Sequence, residues 1–404
     1  MSIRNMMIGG AGLRPPGAPT DVSATAGNAQ ASVSFSAPAD NGGSAITGFT
    51  VTSSPSGITG TGASSPITVS GLSNGTAYTF TVTATNAIGT SSASSASGSV
   101  TPNPPPELYS FTSATFTTNG LTGQNGPSLA EAKAGLTENP SVGWKNNTSY
   151  FNMTTNGIQR WTVPQDATYR IQATGARGLT QSGSQAGRGT RITVDVGLSS
   201  GQIVKILCGQ QGQPAYGSSA GGGTFVAFDG ATGPIVVAGG GGGSSHNNIF
   251  TQSSVDAKIN ESDANAGGAG NSVNGSGGLT PSSSGGSGGA SNGGAGFTGN
   301  AQSLTANRTP QSFINGGKGG EGPADENNDS IANSFGGFGG GGGGGNTGPG
   351  GGGYNGGNAS GYPAGFGAGD YDNGFGGTSY VSGTVVSQEA GVGTGSGSVV
   401  ITKL

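Results

Sequence analysis

The chain has 404 residues, of which 88 are glycine and only 8% are charged, against about 25% charged in an average soluble domain. That composition speaks against an ordinary cytosolic enzyme. A formal net charge of −4 with 14 scattered Lys and Arg residues lacks the clustered basic footprint that nucleic acid requires.

The first 14 residues form a segment of their own, with Arg4 and a short apolar patch at Met6, Met7 and Ile8. A secretory signal needs an apolar run of about 7 to 15 residues; here Gly9 and Gly10 interrupt it and Pro15 and Pro16 close it. No stretch approaches the roughly 20 apolar residues of a membrane helix, so no membrane span is expected.

From residue 15 to 102 apolar residues alternate with polar ones: Ala31, Val33 and Phe35, then Phe49 and Val51, Ile67 and Val69, and Tyr78, Phe80, Val82 and Ala84. Period two predicts half-buried strands. Turn signals at Gly27-Asn28, Asp40 to Gly43, Ser56-Gly57 and Ser73 to Gly75 separate them. About seven short strands in such a length predict a β-sandwich. The combination of Leu72, Gly75, Tyr78, Phe80, Val82 and Asn86 resembles a fibronectin type III module of the bacterial or phage kind. The resemblance implies a spacer without chemistry, in which the Tyr78 hydroxyl bonds back to the main chain. Phe35 stands where that family usually has Trp, which alters core packing rather than the fold.

Residues 103–108 carry Pro104, Pro105 and Pro106, a short stiff linker, since consecutive prolines favour the extended polyproline conformation. Beyond it, residues 109–404 read as one glycine-rich domain. Strand-like runs occur at Ile158 to Val163, Thr168 to Ala173, Arg191 to Val196 and Gln202 to Leu207, and the closing strands are expected only at Thr378 to Val386 and Gly397 to Thr402. Ser128 and Glu131 match a capping box for one short helix over Ser128 to Ala134. Cys208 is the sole cysteine, which excludes an intramolecular disulfide; beside Ile206 and Leu207 it reads as a buried structural thiol.

A second β-sandwich, with strands in 109–238 and 378–404, thus brackets an insertion at 239–377 that is dense in glycine. A structureless loop of that length does not suit a compact domain. Glycine loses more conformational entropy on ordering than any other residue. Extended glycine helices packed side by side, bonding laterally through their peptides, would supply the missing enthalpy. No strict Gly-X-Y period exists, so collagen is rejected. Trp161, Val163 and Pro164, with Gly209-Gln210-Gln211-Gly212, Gly223-Thr224-Phe225-Val226 and Val237 to Gly243, resemble the glycine-rich domain of anaplastic lymphoma kinase receptors and of many bacterial and viral proteins. The resemblance implies a tumour-necrosis-factor-like jelly-roll sandwich carrying a bundle of polyglycine helices, as phage adhesins do at fibre tips. The fold class expected for the whole chain is all-β.

Motifs for chemistry fail on inspection. No GxGxxG follows a strand and opens a helix, and Gly316-Gly317-Lys318-Gly319 lacks the hydroxyl that a phosphate loop places after its Lys. His246 is the only histidine and reads as a loop residue. Asp325, Glu326 and Asp329 offer oxygens to Ca²⁺ but not at the spacing of a calcium loop. No cofactor and no enzymatic activity are expected. Binding falls instead to Tyr354, Tyr362, Asp370, Tyr371 and Asp372, since rigid amphipathic rings give contact area at low entropic cost.

Surface-type domains without an export signal point to a virion component, a bacteriophage tail-fibre or spike protein that attaches to a host surface glycan or outer-membrane receptor. Arg4, Met6, Met7 and Ile8 would dock it on other virion proteins. A capsid head-fibre or decoration protein, and a secreted bacterial adhesin or matrix protein, are the alternatives. Homo-oligomerisation, as a trimer, stays open.

Overall fold

A computed structural model describes residues 12–104, 107–180, 186–213, 218–244, 256–257, 259, 295–298, 300, 310–320, 337–342, 351–353, 376–377 and 379–404. The chain is nearly all β and divides into two compact units, residues 1–106 and 107–404.

In the first unit, strands β1 (Thr20–Ala26), β2 (Gln30–Ser36) and β5 (Ile67–Ser70) form one sheet in the order β1-β2-β5. Strands β3 (Ile46–Ser54), β4 (Thr59–Gly62) and β6 (Thr79–Asn86) form the other, in the order β4-β3-β6. The alternation works as anticipated, because successive strand side chains point to opposite faces. Ala31, Val33, Phe35, Phe49, Val51, Phe80, Val82 and Ala84 are all buried in one core. Phe35 packs on Phe49 with ring centroids 4.8 Å apart. The Tyr78 hydroxyl accepts the Ser73 N–H at 3.1 Å, which ties the turn before β6 to the strand it feeds. Asn86, 4% exposed, donates to the carbonyls of Arg14 and Asn41 at 2.9 and 2.8 Å and accepts the amides of Ile88 and Gly89. One buried amide thus holds three chain segments together.

The expected seventh strand takes a different form. Residues 90–100 run beside β6 with Tyr78 opposite Val100, Phe80 opposite Ser97, Val82 opposite Ser94 and Ala84 opposite Ser91. Each two-residue step on β6 therefore faces three residues on this segment. The serines repair the mismatch: Ser91, Ser94 and Ser97 accept the amides of Ala84, Val82 and Phe80 at 3.0, 2.9 and 3.1 Å. Their own hydroxyls donate to the next carbonyl in the chain at 2.7 to 2.8 Å. The Ser-Ser-Ala repeat thus closes a sheet edge without an ordinary ladder.

The second unit holds two six-stranded sheets. Its strands are β7 (Ser113–Thr117), β8 (Thr137–Asn139), β9 (Phe151–Thr155), β10 (Ile158–Thr162), β11 (Ala167–Thr174), β12 (Gly189–Leu198), β13 (Ile203–Leu207), β14 (Thr224–Phe228), β15 (Pro234–Ala238), β16 (Tyr380–Val381), β17 (Thr384–Gly393) and β18 (Ser398–Lys403). One sheet runs β16-β15-β14-β13-β10-β9 and the other β17-β12-β11-β18-β7-β8. A common core of Phe111, Phe116, Trp144, Phe151, Trp161, Tyr169, Ile171, Ile192, Val204 and Ile206, among others, lies between them. The helix α1 (Leu129–Gly135) starts at the capping box, the Ser128 amide donating to Glu131 Oε2 at 2.8 Å and the Glu131 amide to Ser128 Oγ at 3.4 Å.

Two pairings decide what surrounds the glycine-rich stretch. β15, which precedes it, pairs with β16, which follows it, through Val237 opposite Tyr380. β18 inserts between β11 and β7. The stretch thus leaves from and returns to adjacent strands of one sheet. Among the described residues no helix is long and apolar enough to cross a membrane.

Candidate functional site

The feature that sets the second unit apart lies where its strands give way to glycine. β11, β13 and β15 end one or two residues before Gly175, Gly209 and Gly239, β12 begins at Gly189, and the apolar core ends with them. Three buried hydroxyls mark the transition. Thr224 Oγ1 donates to the Thr174 carbonyl at 2.6 Å and accepts the Gly209 amide at 3.0 Å. Thr190 and Ser379 share a 2.8 Å hydrogen bond, and Ser379 Oγ also accepts the Gly239 amide at 3.2 Å. These side chains satisfy peptides that would otherwise be buried unpaired, which costs about 1 to 3 kcal/mol each.

Beyond that collar, glycine segments bond to one another sideways. Gly221 donates to Gly241, Gly241 to Ala176, Ala176 to Gly222, and Gly222 to Gln210, at 2.9 to 3.0 Å. Farther along, Gly223 donates to Gly339, Gly240 to Gly352, Gly352 to Gly221 and Gly377 to Gly240, at 2.7 to 3.1 Å. Most of these glycines have ordinary negative φ, so the left-handed region is not why they are glycine. Close approach is the reason: a Cβ on Gly222 would collide with the Phe338 carbonyl oxygen, one on Gly241 with that of Gly187, and one on Gly175 with that of Gly239.

The segments 295–298, 310–320 and 337–342 cover the outer face of the β16-β15-β14-β13-β10-β9 sheet. Phe297, Phe313 and Phe338 pack there on Ile158, Leu207, Phe225, Ala227 and Val237. Phe225 and Phe313 stack at 5.3 Å and 21°, Phe297 and Phe313 at 5.2 Å and 16°. Phe338 is fixed at both ends of its peptide, its amide donating to Gly123 and its carbonyl accepting from Gln210. Its ring fills the space beside Gly126 and Gly157, where no Cβ would fit. Farther along the same strands the outer face turns polar. Arg160 and Lys205 both pair with Asp229, and the Lys205 ammonium, with Arg160 behind it, holds the Asp229 carboxyl below its usual range. This sheet face is therefore lined by the glycine-rich segments at one end of β10 and β13 and carries charge toward the other.

Cys208 is buried, donates to the Phe116 carbonyl at 3.3 Å, and burial pushes its thiol up to about 12. It is inert structure, as its neighbours imply. No group of His, Cys, Asp or Glu among the described residues could hold a metal ion. The residues singled out for binding, Tyr354, Tyr362, Asp370, Tyr371 and Asp372, lie outside the described residues, as do Arg4, Met6, Met7 and Ile8, His246, and Asp325, Glu326 and Asp329. Sequence reasoning passed over Phe297 and Phe313. The signal that could have found them is the unbroken apolar run of β14 and β15, TFVAF and PIVVA, since a strand buried on both faces loses its alternation.

With this geometry in hand, the comparisons with known proteins place one part of the chain. Residues 17–100 match the fibronectin type III domain family, and a fibronectin type III domain is present there. Among curated proteins no match is found. Solved structures similar to the chain include domains A168–A170 of titin, 25% identical over 22% of this chain and 32% of that one, at a TM-score of 0.21. The titin kinase with its flanking domains is 16% identical over 48% of this chain and 30% of that one, and the chicken CNTN1 FN1–FN3 domains are 15% identical over 55% and 78%, each at a TM-score of 0.21. The chain thus spans about a third of the titin chains it matches. At such TM-scores these likenesses carry no argument about activity.

Proposed function

We propose that the protein is a non-enzymatic virion component, a bacteriophage tail-fibre or spike protein that displays a binding domain for host attachment. The observation that carries this reading is the lateral hydrogen bonding among Gly221, Gly241, Gly222, Gly240 and Gly352 on a β-sandwich whose flanking strands, β15 and β16, are paired. Such bonding, with no room for a Cβ between segments, is what a bundle of extended polyglycine helices requires. A bundle of this kind is stiff because each peptide is bonded to a neighbour rather than to water. It holds the loops between its segments at fixed spacing without a large apolar core. On this reading the fibronectin type III domain serves as a spacer, residues 1–14 dock on other virion proteins, and Tyr354, Tyr362, Asp370, Tyr371 and Asp372 meet the host surface.

The test is retention of the full-length protein on a panel of bacterial strains, with extracted surface polysaccharide as competitor. Saturable retention on particular strains, abolished by their own polysaccharide or by Tyr362→Ala with Tyr371→Ala, is the expected result. Retention on no strain, or retention indifferent to those tyrosines, overturns the attachment reading. Antibodies against residues 17–100 should decorate phage particles in electron micrographs; antigen found only on a bacterial cell surface would favour an adhesin instead.

A further inference from the structure

We infer that Asn119, at the turn after β7, is the described residue at which this chain deamidates first. Asn-Gly pairs are the chemically labile sites for this reaction, because glycine leaves its own amide nitrogen open to attack on the preceding side chain. In the step, the Gly120 nitrogen attacks Cγ of Asn119, a C–N bond closes a five-membered succinimide, and the side-chain nitrogen leaves as ammonia. Water then opens the ring at either carbonyl, yielding aspartate or isoaspartate. No oxidant or further reagent is needed.

The described chain contains several Asn-Gly pairs, and the structure restrains all but one. Asn74 is held on both sides, Nδ2 donating to Asn28 at 2.8 Å and Oδ1 accepting the Ala29 amide at 2.9 Å, while the Gly75 amide is committed to the Pro102 carbonyl at 2.8 Å. Asn41 accepts the Gly43 amide, and the attacking nitrogen of Gly42 donates to Asp40 at 2.9 Å. The Gly157 amide after Asn156 donates to the Pro127 carbonyl at 2.8 Å. Asn315 donates to Asn300 and Ser312 at 3.0 and 2.8 Å, and its Gly316 amide reaches Phe313. Asn125 is exposed, and its restraint is packing: Gly126 lies so close to the Gly157 backbone and the Phe338 ring that a Cβ would not fit.

At Asn119 neither the hydrogen bonds nor the close packing that hold the other pairs act on the side chain or on the glycine that follows it. It and Gly120 are both exposed, and a Cβ on Gly120 would meet nothing within 4 Å. Neither the Asn119 side chain nor the Gly120 amide makes a hydrogen bond among the described residues; the pair forms the apex of a turn with φ of 55° and 73°, closed by the Leu121 amide on the Thr118 carbonyl at 3.1 Å. Ring closure there requires only the opening of a surface turn. At the other sites it requires breaking specific contacts, and the rate falls with the free energy of that opening. Conversion places a negative charge, and for isoaspartate an extra backbone methylene, at the end of β7, beside Gly135 of α1.

The experiment incubates the full-length folded protein in mildly alkaline buffer and follows the gain of about one mass unit peptide by peptide, with isoaspartyl methyltransferase labelling to mark the product. Asn119 is expected to convert about tenfold faster than Asn41, Asn74, Asn125, Asn156 and Asn315, and that lead should vanish in urea, where no site is held. Asn119→Gln should remove the early labelling and leave the circular dichroism spectrum unchanged. If another described Asn-Gly pair converts first in the folded chain, or if the lead of Asn119 survives in urea, the inference is wrong.

Discussion

Ser94 and Val82 exchange two hydrogen bonds: the Ser94 amide donates to the Val82 carbonyl at 2.9 Å, and the Val82 amide donates to the Ser94 hydroxyl at 2.9 Å. A side-chain oxygen thus stands where a strand would present a carbonyl. Ser94→Ala leaves the buried Val82 amide without an acceptor, so the first unit should lose about 1 to 3 kcal/mol. Hydrogen exchange at Val82 reads this directly, with faster exchange expected in the variant. The exposed Ser92 is the control, and Ser92→Ala should change nothing.

Gly222 lies where a Cβ would strike the Phe338 carbonyl oxygen, whereas a Cβ on Gly197 in β12 would meet nothing within 4 Å. Gly222→Ala should therefore lower the thermal midpoint of the second unit by several degrees or prevent its folding, through displaced backbone rather than altered φ. Gly197→Ala should be neutral or stabilise slightly, by up to about 1 kcal/mol. Equal effects at both positions would mean that close packing of the glycine segments is not what demands glycine.

Phe338 is 2% exposed and joins residues of the glycine-rich segments to β10, β13 and β14. Phe338→Ala should cost about 3 to 5 kcal/mol, the transfer loss plus the cavity left behind. Because the ring covers Leu207 and its neighbours, the variant should also bind a hydrophobic dye before global unfolding. Denaturant titration followed by both dye binding and circular dichroism would separate the two steps.

Asp229 sits between Lys205 and Arg160, and its carboxyl titrates below the usual value in the folded state. A depressed carboxylate binds its proton more weakly when folded than when unfolded. Its contribution is therefore fully present above the unfolded value of 3.8 and is lost as pH falls through the folded one. The side chain is 30% exposed, so screening limits the contribution to under about 1 kcal/mol. Stability curves of wild type and Asp229→Asn should converge below that range, and the difference near neutrality should shrink at high salt.

The Cys208 thiol, buried and pushed up to about 12, should resist alkylation by a maleimide at pH 8 in the folded protein and react at once in urea. Labelling at equal rates in both states would contradict its burial.

Strand and turn positions in residues 15–102 were legible because alternation reports burial when one face of a strand meets a core and the other meets water. Tyr78 and Asn86 were also legible as framework residues, since each has a distinctive residue type within a recurring pattern. The serine-bonded edge was not, because Ser91, Ser94 and Ser97 read as polar loop residues until β6 is placed beside them. Phe297 and Phe313 were missed for a related reason. Each is a lone aromatic outside any alternating run, and only the packing of segments far apart in sequence brings both beside Phe225.

By itself, the sequence determined the all-β class, the fibronectin type III domain, the capping box at Ser128 and the inert cysteine, because period, local hydrogen bonding and composition act within a few residues. The tertiary structure alone decided which glycines touch. Gly222 and Phe338, or Gly241 and Ala176, are distant in the chain, and glycine carries no side chain through which sequence could specify a partner. Their pairing is set by where β11, β13 and β15 end and by the hydroxyls of Thr190, Thr224 and Ser379 that meet the first glycines beyond them.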